Sequence, residues 1–155
     1  MTEGEAGPNA ADHDETDDAD HADDDRESAY ALFQRGRALL VRRHHAQAAV
    51  VLERAARLEP RKGSILEALG RAYYNSRQHE LAGETFAALL EVDPSSHYAH
   101  YALGQSLKQL GREREAWTHL KLAVAMAPDA ALYRGALARL PVPGNPAPQP
   151  PPIAG

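Results

Sequence analysis

The chain has 155 residues, of which 43% are apolar and 25% charged, so it has room for one folded domain of ordinary size and not for two. It contains no cysteine, which excludes disulfide bonds and thiolate metal sites. The formal net charge is −5, and no stretch approaches the roughly 20 apolar residues of a membrane helix, so we expect a cytoplasmic protein without membrane contact.

The first segment, residues 1–27, is strongly acidic. It holds 12 Asp and Glu residues and one Arg, whereas residues 28–155 hold 10 acidic and 16 basic residues. The formal charge is therefore −11 for this segment and +6 for the rest of the chain. Large apolar side chains are nearly absent and the carboxylates repel one another, so we predict a disordered acidic tail.

Residues 28–128 repeat with a period of 34. Glycine, alanine and proline each recur three times at this spacing: Gly36, Gly70 and Gly104; Ala48, Ala82 and Ala116; Pro60, Pro94 and Pro128. This period and pattern are typical of a helix-turn-helix unit, so we predict three antiparallel helical hairpins, at residues 28–61, 62–95 and 96–128. The first helix of each hairpin is called helix A and the second helix B.

Each predicted helix has a stripe of residues that it should bury. In helix A, apolar residues flank the glycine at helical spacing, as Leu66, Leu69 and Tyr73 flank Gly70. In helix B, small residues alternate with large ones, which lets the helices approach closely, and the proline then ends the helix. The predicted faces are Ala48, Leu52, Ala55 and Leu58; Ala82, Phe86, Leu89 and Val92; and Ala116, Leu120, Ala123 and Met126.

Residues 129–140 predict one further amphipathic helix, with Asp129 as its N-cap. Its apolar stripe consists of Leu132, Tyr133, Ala136, Leu137 and Leu140. A stack of repeats needs an end element that covers its last exposed face, so we interpret this segment as a capping helix. Residues 141–155 are rich in proline and lack an apolar stripe, which predicts a second disordered tail.

The pattern resembles the tetratricopeptide repeat family. The resemblance is clearest in Leu69-Gly70, Tyr73, Ala82, Phe86 and Pro94, and it extends over residues 29–128 in three copies. It implies an all-α fold, a right-handed α-solenoid of three antiparallel hairpins with a C-terminal capping helix. It also implies a concave groove lined by the A helices, in which a protein-interaction adaptor or scaffold binds a partner.

The face of each A helix that points away from its buried stripe is aromatic and basic. Tyrosine, phenylalanine and arginine are enriched in protein-binding surfaces because they combine a large contact area with a polar group. The alternative is a purely structural role, in which some of these side chains, such as Leu40, Val41 and Tyr30, pack on the neighbouring hairpin. The predicted peptide-binding groove consists of Tyr30, Phe33, Arg37, Glu67, Arg71, Tyr74, Asn75, Tyr98, Tyr101, Gln105 and Lys108.

Some members of this family grip the C-terminal carboxylate of a chaperone with a clamp of Lys, Asn and Arg. The resemblance places Phe33, Arg37, Ala68, Tyr98 and Ala102 at the clamp positions, and none of them is the family's clamp residue. The resemblance therefore argues against that partner. Arg37 and Arg71 could still hold a carboxylate, so we expect an extended or helical segment with an acidic group and apolar anchors.

Other functions are weighed against this one. We predict no enzyme activity and no cofactor, because the helical pattern supplies neither a nucleophile with a base nor paired carboxylates in a shaped pocket. We predict no metal site, because His97 and His100 have no third ligand beside them, and His44 and His45 belong to a predicted turn. The basic first hairpin leaves open nucleic-acid binding regulated by the acidic tail, although the acidic charge opposes it. A self-associating architectural protein, with a homo-oligomer as its form, is the third interpretation. The acidic tail is also a candidate ligand of the groove in the same chain.

Overall fold

A computed structural model of the chain describes residues 16–144 and 150–153, and it describes side chains from Ser28 onward. Within these residues no helix has both the length and the apolar character needed to cross a membrane. The described residues form seven α-helices and no strand. The helices are α1 (Thr16–Val41), α2 (His45–Leu58), α3 (Gly63–Asn75), α4 (His79–Val92), α5 (His97–Gln109), α6 (Glu113–Met126) and α7 (Ala131–Ala138).

Each helix packs against the next one along the chain. The pairs α1 and α2, α3 and α4, and α5 and α6 form the three hairpins, and α7 packs on α6. Neighbouring hairpins meet where α2 contacts α3 and where α4 contacts α5, and α1 also contacts α3. The predicted fold class, a right-handed α-solenoid with a capping helix, is confirmed.

The start of α1 differs from the predicted boundary at residue 28. The helix begins at Thr16, so the described part of the acidic segment, residues 16–27, is helical. The helix continues into the body, where Ala29 and Leu32 are buried. Residues 1–15 lie outside the described residues. In the proline-rich segment, the described residues 141–144 and 150–153 are exposed and carry no helix.

The repeated glycines lie against the largest side chains of the B helices. A Cβ atom at Gly36 would lie 2.5 Å from Leu52, and one at Gly70 or Gly104 would lie 2.7 Å from Phe86 or Leu120. These partner side chains are almost completely buried. The A and B helices of every hairpin therefore meet at a point where only a hydrogen atom fits, as the alternation of small and large residues predicted.

Two residues of the predicted B-helix faces do not belong to the core. Leu58 is 40% exposed and Met126 is 43% exposed. Each stands in the last turn of its helix, where the chain turns away toward the next hairpin. Placing them in the buried face was therefore wrong, because the inter-repeat loop, not the helical period, decides what covers this turn.

The turns between A and B helices share one conformation at a spacing of 34. Arg43, Arg77 and Gly111 all have positive φ, at 62°, 65° and 76°. Around Arg43 the N–H groups of residues 43 and 44 bond to the carbonyls of Leu40 and Leu39, and the other two turns repeat this pattern. This is the Schellman motif, which satisfies the last carbonyls of helix A.

The capping helix is shorter than predicted. It spans Ala131–Ala138, and its N-cap is Ala130 without a side-chain hydrogen bond, so the assignment of Asp129 as N-cap was wrong. Tyr133 is buried, as are Ala136 and Leu140, whereas Leu132 is 60% exposed. Leu132 therefore faces solvent and is not part of the buried stripe.

Candidate functional site

Two adjoining hollows lie along the A helices, and together we call them the groove. The first hollow lies between α1 and α3 and has a volume of about 500 Å³; it is lined by Phe33, Arg37, Leu40, Val41, Ser64, Glu67, Ala68 and Arg71. The second hollow lies between α3 and α5 and has a volume of about 260 Å³; it is lined by Arg71, Tyr74, Asn75, Phe86, Tyr98, Tyr101, Ala102 and Gln105. Arg71 lines both hollows, so they adjoin at this side chain.

The second hollow is dominated by aromatic rings. Tyr98 meets Phe86 edge to face with ring centroids 6.1 Å apart, and it lies 6.2 Å from Tyr101. Phe86 is also the side chain that fills the space beside Gly70, so its ring belongs to the core and to the hollow at the same time. A ring with a fixed position offers a binding surface at little entropic cost.

Tyr98 is the groove residue with the strongest shift in acidity. Burial is the main cause that raises the pKa of Tyr98 to about 12; the guanidinium of Arg71 acts against this shift, and the carboxylate of Glu67 adds to it. The phenol keeps its proton well above neutral pH and can donate a hydrogen bond.

Gln105 lines the second hollow and has one unsatisfied buried polar atom. Its Nε2 amide is 3.4 Å from the hydroxyl oxygen of Tyr101, a long hydrogen bond. Its Oε1 atom is buried and has no hydrogen-bond partner among the described residues. A buried acceptor without a partner costs free energy.

The first hollow combines a cation with apolar walls. The guanidinium of Arg37 lies 5.7 Å from the ring centre of Phe33, within range of a cation–π interaction. Val41, at the end of α1, is 84% exposed, and Leu40 is partly buried. The alternative that Val41 packs on the neighbouring hairpin does not hold in this structure.

Most of the predicted groove residues come together in this surface. All but two line one of the hollows, and the exceptions are Tyr30 and Lys108. Tyr30 is 66% exposed, and its hydroxyl accepts a hydrogen bond of 2.8 Å from Gln34 Nε2. It lies one turn before Phe33 on α1, toward the N-terminal end and away from the hollow.

The sequence interpretation missed two aromatic residues. Phe86 was assigned only to the core, although its ring lines the second hollow. Tyr133 was assigned to the capping helix, yet its ring stacks on Tyr101 with a centroid distance of 4.8 Å and an interplanar angle of 27°. Its hydroxyl also lies 2.9 Å from Nδ1 of His97. The capping helix thus positions a groove residue, which no repeat position could have indicated.

The histidines of α5 contact residues of other helices. His97 contacts Tyr133, whereas His100 stacks on His119 with the two Nδ1 atoms 3.1 Å apart. His45 is not in the turn but is the first residue of α2, and it is partly buried. Among the residues that the structure describes, no group of three or more potential ligands could hold a metal ion.

Comparisons with known proteins agree with this geometry. A family model described as "Tetratricopeptide repeat" matches residues 33–97 and 67–131, which overlap and together cover more than half of the chain. Superkiller complex protein 3 of Mus musculus is 30% identical over 100 residues, which are 64% of this chain and 6% of that protein. The chain therefore corresponds to a small part of that relative's length.

Solved structures show the same fold. The Arabidopsis OM64 TPR domain superposes with a TM-score of 0.71 at 16% identity, covering 74% of this chain and 95% of that domain. The first TPR of Spaghetti, bound to the HSP90 peptide SRMEEVD, superposes with a TM-score of 0.68 at 14% identity, covering 72% of this chain and 89% of the other. At these identities the likeness concerns the fold alone.

Proposed function

Because the chain belongs to the tetratricopeptide repeat family, we propose that it is an adaptor that binds a segment of a partner protein in the groove formed by α1, α3 and α5. The observation that carries the proposal is that two hollows lined by aromatic and basic side chains adjoin at Arg71. Aromatic rings and guanidinium groups are the side chains that contribute most to protein binding.

The two hollows favour different parts of a bound segment. The second hollow, at about 260 Å³, is smaller than the roughly 300–1,000 Å³ of typical small-molecule pockets, so it suits one apolar anchor side chain. The first hollow offers the guanidinium groups of Arg37 and Arg71, which suit a carboxylate through charge-assisted hydrogen bonds. A segment with an apolar anchor and a nearby acidic group matches both.

The comparison with Spaghetti supports a peptide as the ligand class, because that repeat domain holds the acidic peptide SRMEEVD. The residues at the clamp positions differ here, with Phe33, Tyr98 and Ala102 among them. The proposed partner is therefore an acidic segment that is recognised by a different set of contacts. No catalytic step is part of the proposal, since the described groove residues include no nucleophile paired with a general base.

Affinity capture with matched variants tests the groove. The intact protein is compared with the variant Arg37→Ala, Arg71→Ala, Tyr101→Ala, and with a control, Arg54→Ala, Arg57→Ala, Leu122→Ala, whose changes lie on exposed parts of the B helices. We expect a partner that the intact protein and the control retain and that the groove variant loses. A partner that all three proteins retain would contradict the proposal.

Site-specific photo-crosslinking then locates the contact. A photoreactive amino acid replaces Val41, which lines the first hollow, or Val50, which is 59% exposed on α2 and lines neither hollow. The captured partner should crosslink from position 41 and not from position 50. Crosslinks from position 50 alone would place the binding surface on the B helices, and mass spectrometry of the crosslinked peptide identifies the bound segment.

A further inference from the structure

We infer that the acidic residues 1–15 of this chain bind in the first hollow and compete there with the partner segment. The inference rests on the proposed function, since it assigns a second ligand to the same surface. Three observations support it: the charge of the hollow, the reach of residues 1–15 and the composition of these residues.

The first hollow has an excess of cationic groups. Arg37 and Arg71 line it together with one carboxylate, that of Glu67. Both arginines are exposed, and among the described residues neither forms an ion pair, the single one there being Arg112 with Glu115. Two guanidinium groups without an ion-pair partner in the described part of the chain attract a segment that carries several carboxylates.

The geometry of α1 brings residues 1–15 within reach of this hollow. The helix runs from Thr16 to Val41, and the residues that line the hollow begin at Phe33. At 1.5 Å per residue, Thr16 lies roughly 26 Å from Phe33 along the helix. Fifteen residues of extended chain can span about 50 Å, so about eight of them are enough to cover the distance from Thr16 back to the level of Phe33. The remaining residues are then long enough to enter the hollow. The part that arrives is the beginning of the chain, around Glu3 and Glu5.

The composition of residues 1–15 suits this position. They include five acidic residues and no Lys or Arg. The other side chains are mostly small, with Gly4, Ala6 and Gly7 among them, so the backbone can lie close to the apolar walls of the hollow. Tethering gives such a segment an effective concentration of roughly millimolar, which is enough to populate a weak intramolecular contact.

The consequence is a lowered affinity for the partner. A competitor at roughly millimolar effective concentration, with a dissociation constant of similar size, weakens partner binding about two- to fivefold. Because the contact is electrostatic and exposed, its effect should fall as the ionic strength rises.

Paramagnetic relaxation enhancement in the full chain tests this contact without any partner. The chain has no cysteine, so Thr2→Cys provides a single attachment site for a nitroxide spin label. We expect broadening of the amide signals of Arg37, Ser64 and Arg71, which line the hollow. The amides of Glu84 and Glu115, on α4 and α6, should stay sharp.

Two variants in the labelled chain identify the surface. Arg37→Gln with Arg71→Gln should abolish the broadening, whereas the matched pair Arg54→Gln with Arg57→Gln on α2 should leave it unchanged. Raising the salt concentration from about 50 mM to about 500 mM should also remove it. Broadening that follows Arg54 and Arg57 instead, or that is absent at low salt, would overturn the inference.

A mixing experiment separates contacts within one molecule from contacts between copies. One copy carries the spin label and no isotope, and the other carries the isotope and no spin label. The inference predicts no broadening in the mixture, and broadening there equal to that in the doubly labelled chain would overturn it. None of these measurements uses the partner. A failure here therefore leaves the capture and crosslinking results, which test the proposed function, to stand by themselves.

Discussion

The close approach of helices at the repeated glycines makes Gly70→Ala a sensitive test of the fold. The added Cβ would lie 2.7 Å from the ring of Phe86, whose side chain is 1% exposed and is held by its neighbours on every side. Overpacking costs about 1–3 kcal/mol, and a Cβ only 2.7 Å from a fully buried ring belongs to the upper part of this range, at about 2–3 kcal/mol. The better helix propensity of alanine returns about 1 kcal/mol. We expect a net loss of about 1–2 kcal/mol in the free energy of unfolding.

Gly83→Ala is the matched control for this prediction. Gly83 is also buried within a helix, but its Cβ would lie 3.8 Å from Leu103 and from Ser106, which is ordinary contact. Only the better helix propensity of alanine then contributes, and the free energy of unfolding should rise by about 0.5–1 kcal/mol. Urea unfolding followed by circular dichroism measures both changes. A Gly70→Ala variant as stable as the parent would show that the ring of Phe86 moves aside, and it would refute the close-approach argument.

Three further predictions follow from individual contacts. Tyr73→Phe removes a hydrogen bond of 2.7 Å to a carboxylate on α2, so the free energy of unfolding should fall by about 1–2 kcal/mol, measured by urea unfolding. Burial, together with the charge of His100, lowers the pKa of His119, so the folded state binds a proton less readily than the unfolded state. The free energy of unfolding should therefore be highest above pH 6.5 and should fall as the pH drops below it. In thermal unfolding at several pH values, His119→Gln should flatten this profile. The stacked rings of Tyr101 and Tyr133 should show a coupling energy of about 0.5–1.5 kcal/mol in a double-mutant cycle of alanine variants, whereas a coupling near zero would mean that the capping helix does not support the groove.

Much of the groove could be predicted because a helix has only one face left once its stripe is buried. Arg37, Arg71 and Tyr98 occupy that face by their spacing from the repeated glycines, and each of them lines a hollow. Tyr30 satisfies the same spacing, yet it lies outside both hollows. The helical period specifies the direction of a side chain around the helix axis. The position of the residue along the helix decides whether the neighbouring A helix lies opposite it.

The sequence alone determined the hairpins, because two properties are local to each repeat. These are the spacing of 34 residues and the pairing of a glycine on helix A with a large side chain on helix B. Gly70 must face a large side chain wherever the repeat is placed, and Phe86 is that side chain. The tertiary structure decided which residues meet across elements that carry no repeat. Tyr133 stacks on Tyr101, and Leu132 faces solvent. Both positions depend on how α7 packs on the last hairpin, and the spacing of apolar residues within α7 does not specify that packing.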